Sequence, residues 1–126
     1  MNKIIVKNSK INGKGVFASC DFKKGDIVLR WDVSRSLLKD EVDRMSEEEI
    51  MYVSFLDGKY ILMQEPERFV NHSCDPNTKV KYFCDVAIRD IKAGEEVTSN
   101  YEDESPKGTY MKCGCGSGKC REIILS

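Results

Sequence analysis

A segment of ten residues, positions 68–77, concentrates side chains that can bind a polar ligand or a metal ion. It reads Arg-Phe-Val-Asn-His-Ser-Cys-Asp-Pro-Asn and contains the chain's only histidine. Pro76 fixes its own φ angle and disfavours a helical conformation at Asp75, so the residues before it are expected to end a strand at a turn. The density of amide, imidazole, hydroxyl and thiol groups predicts a site here. A plain strand exit with a buried histidine is the alternative.

A second group of reactive side chains lies near the C-terminus. Three of the six cysteines follow one another there with glycine as the commonest spacer, and glycine lets a backbone turn tightly around an ion. In a reducing compartment, cysteines are more often thiols or metal ligands than disulfides. A structural zinc ion takes four ligands in a closed tetrahedron, so one more must come from elsewhere in the chain. Loose thiols in a tail are the alternative. The predicted ligands of one structural zinc ion are Cys74, Cys113, Cys115 and Cys120.

The composition limits the class of protein. A chain of 126 residues is long enough for one domain with a real core. Its 20 basic and 21 acidic residues give a formal net charge of -1, and direct nucleic-acid binding usually needs a strongly basic face. The N-terminal apolar run is too short for a signal peptide, and no segment has the length of a membrane span. We therefore expect a soluble, intracellular protein, cytoplasmic, or nuclear if the host is eukaryotic, with no direct nucleic-acid or membrane binding.

Short apolar runs bounded by turn residues predict a mostly β domain of several small antiparallel sheets. The clearest hairpin joins Tyr52–Leu56 to Lys59–Met63 through Asp57-Gly58, which supplies the positive φ angles of a two-residue turn. Cys20 and Cys84 have no partner at metal-ligand spacing and are expected to be small buried apolar side chains. The remaining predicted strands are residues 4–6, 16–18, 27–31, 78–83, 86–88 and 96–98.

One short helical insertion is predicted at about residues 34–50. Leu38, Val42 and Met45 recur at helical spacing. Ser46 and Glu49 have the spacing of a capping box, in which each residue's side chain accepts a hydrogen bond from the other's backbone N–H. A further helical turn is therefore expected after Ser46.

Two segments of the chain repeat each other. Residues 18–28 and 87–97 match at alanine, aspartate, lysine, glycine and valine positions. Both copies are predicted to be strand, turn, strand, with Gly25 and Gly94 supplying the positive φ angle of the turn. Two copies are too few to predict a solenoid.

The run Gly-Lys-Gly-Val-Phe-Ala at residues 13–18 satisfies a dinucleotide-binding fingerprint but lacks its context. That motif must open a helix whose N-terminus binds a pyrophosphate, whereas residues 16–18 are predicted to be a strand. The two glycines are expected to let the backbone approach a ligand, with an ordinary tight turn as the alternative.

Four motifs, taken in order, resemble those of SET-domain protein lysine methyltransferases with a zinc-binding post-SET tail. They are Gly13–Ala18, Arg68–Asn77, Gly94–Tyr101 and Cys113–Arg121, and the second and fourth are the more specific. The resemblance covers nearly the whole chain. It implies a minimal, stand-alone SET protein with a β-clip-like fold of small sheets and a C-terminal pseudoknot. The implied SET domain is residues 1–105, and the implied post-SET tail is residues 106–126.

The resemblance implies S-adenosylmethionine as methyl donor and a lysine side chain of a protein as acceptor. In SET domains the two reactants enter from opposite faces and meet in a narrow channel. Tyr101 would be the catalytic residue, with its hydroxyl at the point of methyl transfer. Trp31 and Tyr60 would wall the lysine channel. The residues that would bind the cofactor are Asn12, Gly13, Lys14, Gly15, Tyr52, Arg68, Asn71, His72 and Tyr101.

Three positions depart from the pattern of the family. Asn100 stands where many members have aspartate before the catalytic tyrosine. Trp31 stands where many have tyrosine, and its bulk would narrow the lysine channel and favour fewer methyl additions; its alternative role is a large core side chain. Glu122 stands where a glycine is usual after Cys120-Arg121.

The resemblance leaves three functional classes open. The chain is expected to be an active methyltransferase that takes a lysine in a basic segment of a histone or another protein, as a monomer or homodimer. A catalytically silent SET domain that binds cofactor or a protein partner is the alternative. A zinc-stapled interaction module without a cofactor is the third class.

Overall fold

The computed structural model describes residues 3–11, 13–50, 52–56, 58–100, 110–112 and 123–125. The short apolar runs of the sequence form strands, as predicted, and the chain folds into several small sheets. The strands in chain order are β1 (Ile4–Asn8), β2 (Lys14–Ala18), β3 (Ile27–Arg30), β4 (Ser36–Leu37), β5 (Val53–Leu56), β6 (Lys59–Leu62), β7 (Asn71–His72), β8 (Thr78–Lys81), β9 (Cys84–Ala87), β10 (Glu96–Ser99), β11 (Tyr110–Lys112) and β12 (Ile123–Leu125).

The first sheet has the strand order β1-β2-β10-β7. Its first three strands pair antiparallel, whereas β7 and β10 run parallel, with Asn71 opposite Thr98 and His72 opposite Ser99. The strand before Pro76 therefore ends where the turn chemistry predicted. The prediction of antiparallel sheets did not include its parallel pairing with β10.

One face of this sheet carries the larger hydrophobic core. Because strand side chains alternate between faces, Val16 and Ala18 of β2 both point inward and are almost fully buried. They pack in one cluster with Phe22, Ile91 and Val97. Cys84 is buried, as predicted, whereas Cys20 is only half-buried and packs against this cluster.

Two further sheets have three strands each. The hairpin β5–β6 pairs Leu56 with Lys59, and Gly58 in its turn has a φ of 75°, so the predicted connection is confirmed there. Strand β4, which the sequence did not predict, adds to β6. The other sheet has the order β3-β9-β8.

The β8–β9 hairpin ends in an unusual turn. The prediction extended the first strand to Phe83, but β8 ends at Lys81, which pairs directly with Cys84. The two residues between them, Tyr82 and Phe83, have φ angles of 51° and 57°. Such left-handed angles are costly for residues other than glycine, and bulky aromatic side chains give no local signal of them. The strand prediction was therefore two residues too long.

The predicted insertion contains two short helices. Helix α1 spans Lys39–Asp43 and helix α2 spans Glu47–Ile50. Val42 is buried as its helical spacing predicted, whereas Leu38 precedes the helix and is 71% exposed. The capping box is confirmed, because Oγ of Ser46 accepts from N–H of Glu49 at 3.2 Å and Oε1 of Glu49 accepts from N–H of Ser46 at 3.4 Å.

The two repeated segments pack on each other with a local two-fold relation. Phe22 and Ile91 form a bridge, in which each backbone N–H donates to the other's carbonyl oxygen. The N–H of Gly25 donates to the Ala87 carbonyl at 2.8 Å, and the N–H of Gly94 donates to the Ala18 carbonyl at 2.8 Å. Both glycines have the positive φ predicted for them, 94° and 93°.

Near the C-terminus, β11 and β12 form an antiparallel pair in which Lys112 lies opposite Ile123. A short 3-10 helix, Glu67–Phe69, leads into β7. None of the helices in the described part of the chain has the length and apolar character needed to cross a membrane.

Candidate cofactor and acceptor site

The parallel pairing of β7 with β10 places Asn71 beside the glycine-rich strand β2. Its side-chain Nδ2 donates to the backbone carbonyl of Lys14 at 3.1 Å and to Oε2 of Glu96 at 2.9 Å. Asn71 is 57 positions away from Lys14 in the chain and is buried. The structure thus brings together three of the predicted cofactor-binding elements: the Gly13–Gly15 segment, Asn71 and the neighbouring His72.

Glu96 is the centre of this hydrogen-bond network. Besides Asn71, its carboxylate accepts from the hydroxyl of Ser9, with distances of 2.7 Å to Oε1 and 2.9 Å to Oε2. A Cβ atom on Gly15 would lie 2.5 Å from Oε2 of Glu96 and 2.9 Å from Cβ of Ser9. Glycine at position 15 therefore leaves room for the carboxylate.

Glu96 and Ser9 were not predicted as site residues. Glu96 lay in a recognised motif, but nothing local to the sequence indicated that its side chain reaches a residue 87 positions away. The signal that was present is a carboxylate in a predicted strand, because a carboxylate that becomes buried needs hydrogen-bond donors.

Arg68 and Tyr52 form a second part of the candidate cofactor site. The guanidinium carbon of Arg68 lies 4.3 Å from the centroid of the Tyr52 ring, in a cation–π arrangement. Tyr52 is 43% exposed. Among the described residues, Nε of Arg68 and Oγ of Ser99 are the buried side-chain polar atoms without a hydrogen-bond partner. Arg68 lies just before β7, and Ser99 lies opposite His72.

Two unsatisfied polar atoms next to one strand suit a polar ligand, because leaving a buried donor unpaired costs about 1–3 kcal/mol. The Arg68 guanidinium can bind a carboxylate, and the Tyr52 ring offers an apolar face. The donor set therefore fits a ligand that has both an anionic end and an aromatic or aliphatic part.

His72 and Cys74 lie at the end of β7. The imidazole Nε2 of His72 is 3.4 Å from Sγ of Cys74. His72 is buried and Cys74 is half-buried. Within the described ranges no group of three or more metal-ligating side chains is found. Of the four predicted zinc ligands only Cys74 belongs to these ranges; Cys113, Cys115 and Cys120 lie outside them, as does Glu122.

Asn77 fixes the turn that follows. Its side chain accepts from the N–H of Thr98 at 2.8 Å and donates to the Glu96 carbonyl at 2.8 Å. The hydroxyl of Thr78 donates to the Thr98 carbonyl at 2.7 Å. These bonds attach the turn to β10, the strand that leads to Asn100 and Tyr101. Tyr101 itself lies outside the described residues, and so does Asn12.

The two predicted channel residues lie in different surroundings. Trp31 is buried, packs with Ile61 and Met63, and donates from Nε1 to Oδ2 of Asp85 at 3.1 Å. Tyr60 is half-buried, and its ring lies 4.6 Å from the Phe55 ring, centroid to centroid. Trp31 therefore contacts core side chains, and its polar edge has a specific partner.

Asp85 is a further residue that the sequence did not indicate. It is 2% exposed, and desolvation raises its pKa from 3.8 to about 7. The hydrogen bond from Trp31 opposes this rise, and the charge of the nearby Glu67 adds to it. Glu67 is also buried, and its carboxylate accepts from the backbone N–H of Asp32.

Comparison with known proteins places this geometry in a family. Residues 13–102 match the model of the SET domain family. The chain is 31% identical to Histone-lysine N-methyltransferase trithorax of Drosophila virilis, across 94% of this chain and 4% of that protein. It is 30% identical to Histone-lysine N-methyltransferase 2B of Homo sapiens, across 94% of this chain and 5% of that protein. It is 31% identical to Histone-lysine N-methyltransferase, H3 lysine-9 specific KMT1 of Fusarium mangiferae, across 89% of this chain and 45% of that protein.

The chain therefore spans less than half the length of each of these relatives. The match to the SET domain model nevertheless covers more than half of this chain. One sheet brings together the described residues of the first three motifs. The chain belongs to the SET domain family.

Proposed function

We propose that this chain transfers a methyl group from S-adenosylmethionine to a lysine side chain of a protein. The observation that carries the proposal is the meeting of β2, β10 and β7. There the side chain of Asn71 donates hydrogen bonds to the backbone carbonyl of Lys14 and to the carboxylate of Glu96. Family membership supports it, since the similar proteins are named histone-lysine N-methyltransferases. We propose a lysine in a basic segment of a histone or a similar protein as the acceptor.

The proposed cofactor residues are Asn12, Gly13, Lys14, Gly15, Tyr52, Arg68, Asn71, His72 and Tyr101. When bound, S-adenosylmethionine supplies an electrophilic methyl group on a sulfonium. Arg68 has a buried N–H that needs an acceptor, which supports a role in binding the cofactor's carboxylate. Asn71 and His72 would bind its polar groups, and the Tyr52 ring would cover an apolar part.

The acceptor must be an uncharged amine, whereas a lysine in water has a pKa of about 10.4. An apolar passage lined by aromatic side chains disfavours the ammonium ion by desolvation. Trp31 and Tyr60 are the proposed walls of this passage. Tyr101, which follows β10 after Asn100, is proposed to orient the amine with its hydroxyl. Holding the two reactants in line would supply much of the rate.

A structural zinc ion bound by Cys74, Cys113, Cys115 and Cys120 is part of the proposal. Two observations support it. Lys112 and Ile123 are paired across β11 and β12, so the ends of the segment that contains the three C-terminal cysteines are held together. Cys74 is half-buried at the end of β7, beside the candidate cofactor site.

The test is a methyl-transfer assay with labelled S-adenosylmethionine and a panel of histones and other basic proteins. We expect label on lysine for the wild type and at least a tenfold loss for Tyr101→Phe. The matched control is Tyr82→Phe, the same change on a tyrosine that is 83% exposed, which should keep full activity. Circular dichroism must give the same spectrum for all three proteins.

Calorimetry with S-adenosylmethionine separates the remaining classes. Cofactor binding without transfer to any acceptor would contradict the enzymatic proposal and identify a silent SET domain. If the chain neither binds S-adenosylmethionine nor transfers a methyl group, the interaction module is the class that remains. Equal activity of Tyr101→Phe and the wild type would contradict the role proposed for Tyr101.

A further inference from the structure

Two consecutive residues, Trp31 and Asp32, are each held by a buried carboxylate from another part of the chain. The indole Nε1 of Trp31 donates to Asp85 of β9, and the backbone N–H of Asp32 donates to Glu67 of the 3-10 helix. Asp85 and Glu67 are 2% and 4% exposed. Burying two carboxylates near each other costs free energy. The hydrogen bonds that they accept from Trp31 and Asp32 offset part of this cost.

The rest of the Trp31 environment also restricts its ring. The Phe83 ring lies edge-on at 6.4 Å, centroid to centroid, and the N–H of Trp31 donates to the Phe83 carbonyl at 3.0 Å. Phe83 reaches this position from the left-handed turn described above, a conformation that persists only where surrounding contacts favour it. Ile61 and Met63 pack on the same cluster.

We propose that Asp85 is a positioning residue, which holds the Trp31 indole by its N–H and thereby sets the width of the acceptor-lysine passage. This inference rests on the proposed methyltransferase function. A tryptophan can rotate about two side-chain torsions, and a buried acceptor at a fixed place on β9 selects one orientation. The number of methyl groups that the site adds then depends on Asp85 as well as on Trp31.

The Asp85 carboxyl accepts from the indole of Trp31, which follows β3, and the charge of Glu67 in the 3-10 helix acts on it. In the strand ladders Asp85 pairs with two apolar residues, Leu29 of β3 and Val80 of β8. With a pKa near 7, Asp85 changes from an ionised to a neutral acceptor as the pH falls through neutrality. A charged acceptor binds the indole N–H more strongly than a neutral one.

The raised pKa of Asp85 makes the folded state less stable as the pH rises toward neutrality. Because the folded-state pKa of Asp85 lies above its ordinary value, folding favours the protonated form. Its contribution to stability is therefore complete below about pH 4 and is lost as the pH rises to about 7. The contribution of Asp85 to the free energy of unfolding should therefore fall between about pH 4 and pH 7 and then stay constant.

The single tryptophan of the chain gives a direct measurement. We expect the fluorescence of Trp31 in the wild type to titrate with a midpoint near pH 7, and this titration to be absent in Asp85→Asn, which keeps an acceptor but has no ionisable group. The matched control is Asp43→Asn, which removes an exposed carboxylate and should keep the titration. If Asp85→Asn has the same fluorescence spectrum and the same titration curve as the wild type, the positioning role is overturned.

Product analysis tests the second half of the inference. Mass spectrometry of the methylated peptide should show that the ratio of dimethyl to monomethyl lysine rises about fivefold in Asp85→Leu. This factor corresponds to the loss of one hydrogen bond of about 1 kcal/mol. Trp31→Phe should produce the same change, and the double variant should add little to it. Unchanged product ratios in both single variants would overturn the role in the passage. If the wild type transfers no methyl group, the proposed function fails, while the fluorescence titration still decides whether Asp85 positions Trp31.

Discussion

At the scale of single residues, Asn71 joins the two halves of the candidate cofactor site. Its one amide group donates to a backbone carbonyl of β2 and to a carboxylate of β10. An amide has two donor hydrogens, so both bonds can form at once. Replacing the amide by a carboxylate removes both donors and adds a negative charge beside Glu96.

We therefore expect Asn71→Asp to lose about 1–3 kcal/mol of stability at pH 8, because two hydrogen bonds are lost and a second carboxylate lies beside Glu96. Urea denaturation of the variant and the wild type measures this difference. The control is Asn8→Asp, the same change on an exposed strand residue, which should have little effect. Equal stability of Asn71→Asp and the wild type at pH 8 would contradict the network around Glu96.

At the scale of elements, the two repeated segments use the same hydrogen bonds on each other. Oδ1 of Asp90 accepts from the N–H of Lys24 at 3.0 Å, and Oδ1 of Asp21 accepts from the N–H of Ala93 at 2.9 Å. Each aspartate thus caps the turn of the opposite copy. The repeat, which the sequence revealed only as matching residues, corresponds to a reciprocal contact between two turns.

This reciprocity predicts matched effects for two distant substitutions. Asp21→Ala and Asp90→Ala should each lower the free energy of unfolding by about 0.5–1 kcal/mol, and the melting temperature by about 3 °C, since each removes one equivalent hydrogen bond. Thermal unfolding of both single variants measures the effects, with Asp43→Ala as an exposed control. A large loss in one variant and none in the other would show that the two turns are not equivalent.

At the scale of the whole molecule, the proposed zinc ion would connect the C-terminal segment to the SET domain through Cys74. We expect about one zinc ion per chain, and removal by a chelator should lower the melting temperature, because metal binding contributes to folding free energy. Cys74→Ser should reduce the zinc content well below that of the wild type. Cys20→Ser is the control, because Cys20 packs against the core and should leave the content unchanged.

Zinc content measured by atomic emission on the purified chain decides this point. A full complement of zinc in Cys74→Ser would remove Cys74 from the proposed ligands. A wild type that contains no zinc, even after refolding with excess metal, would remove the ion from the proposal.

The sequence by itself determined the local features of this protein. The Gly58 hairpin, the positive φ angles at Gly25 and Gly94 and the capping box of Ser46 and Glu49 were all predicted correctly. Each depends on residues within about four positions of one another, so propensity and turn chemistry are enough to define it. The motifs also indicated the family, although they did not indicate how their side chains contact one another.

Only the tertiary structure decided which distant groups meet. The bond between Trp31 and Asp85 spans 54 positions, and the bond between Ser9 and Glu96 spans 87. Neither partner has a local preference for the other. Their meeting depends on strand order, because β3 lies beside β9 and β2 lies between β1 and β10, and many strand orders satisfy the same alternation of polar and apolar residues. The carboxylates of Asp85 and Glu96 acquire their roles only when burial by the whole fold removes water and leaves these particular donors in reach.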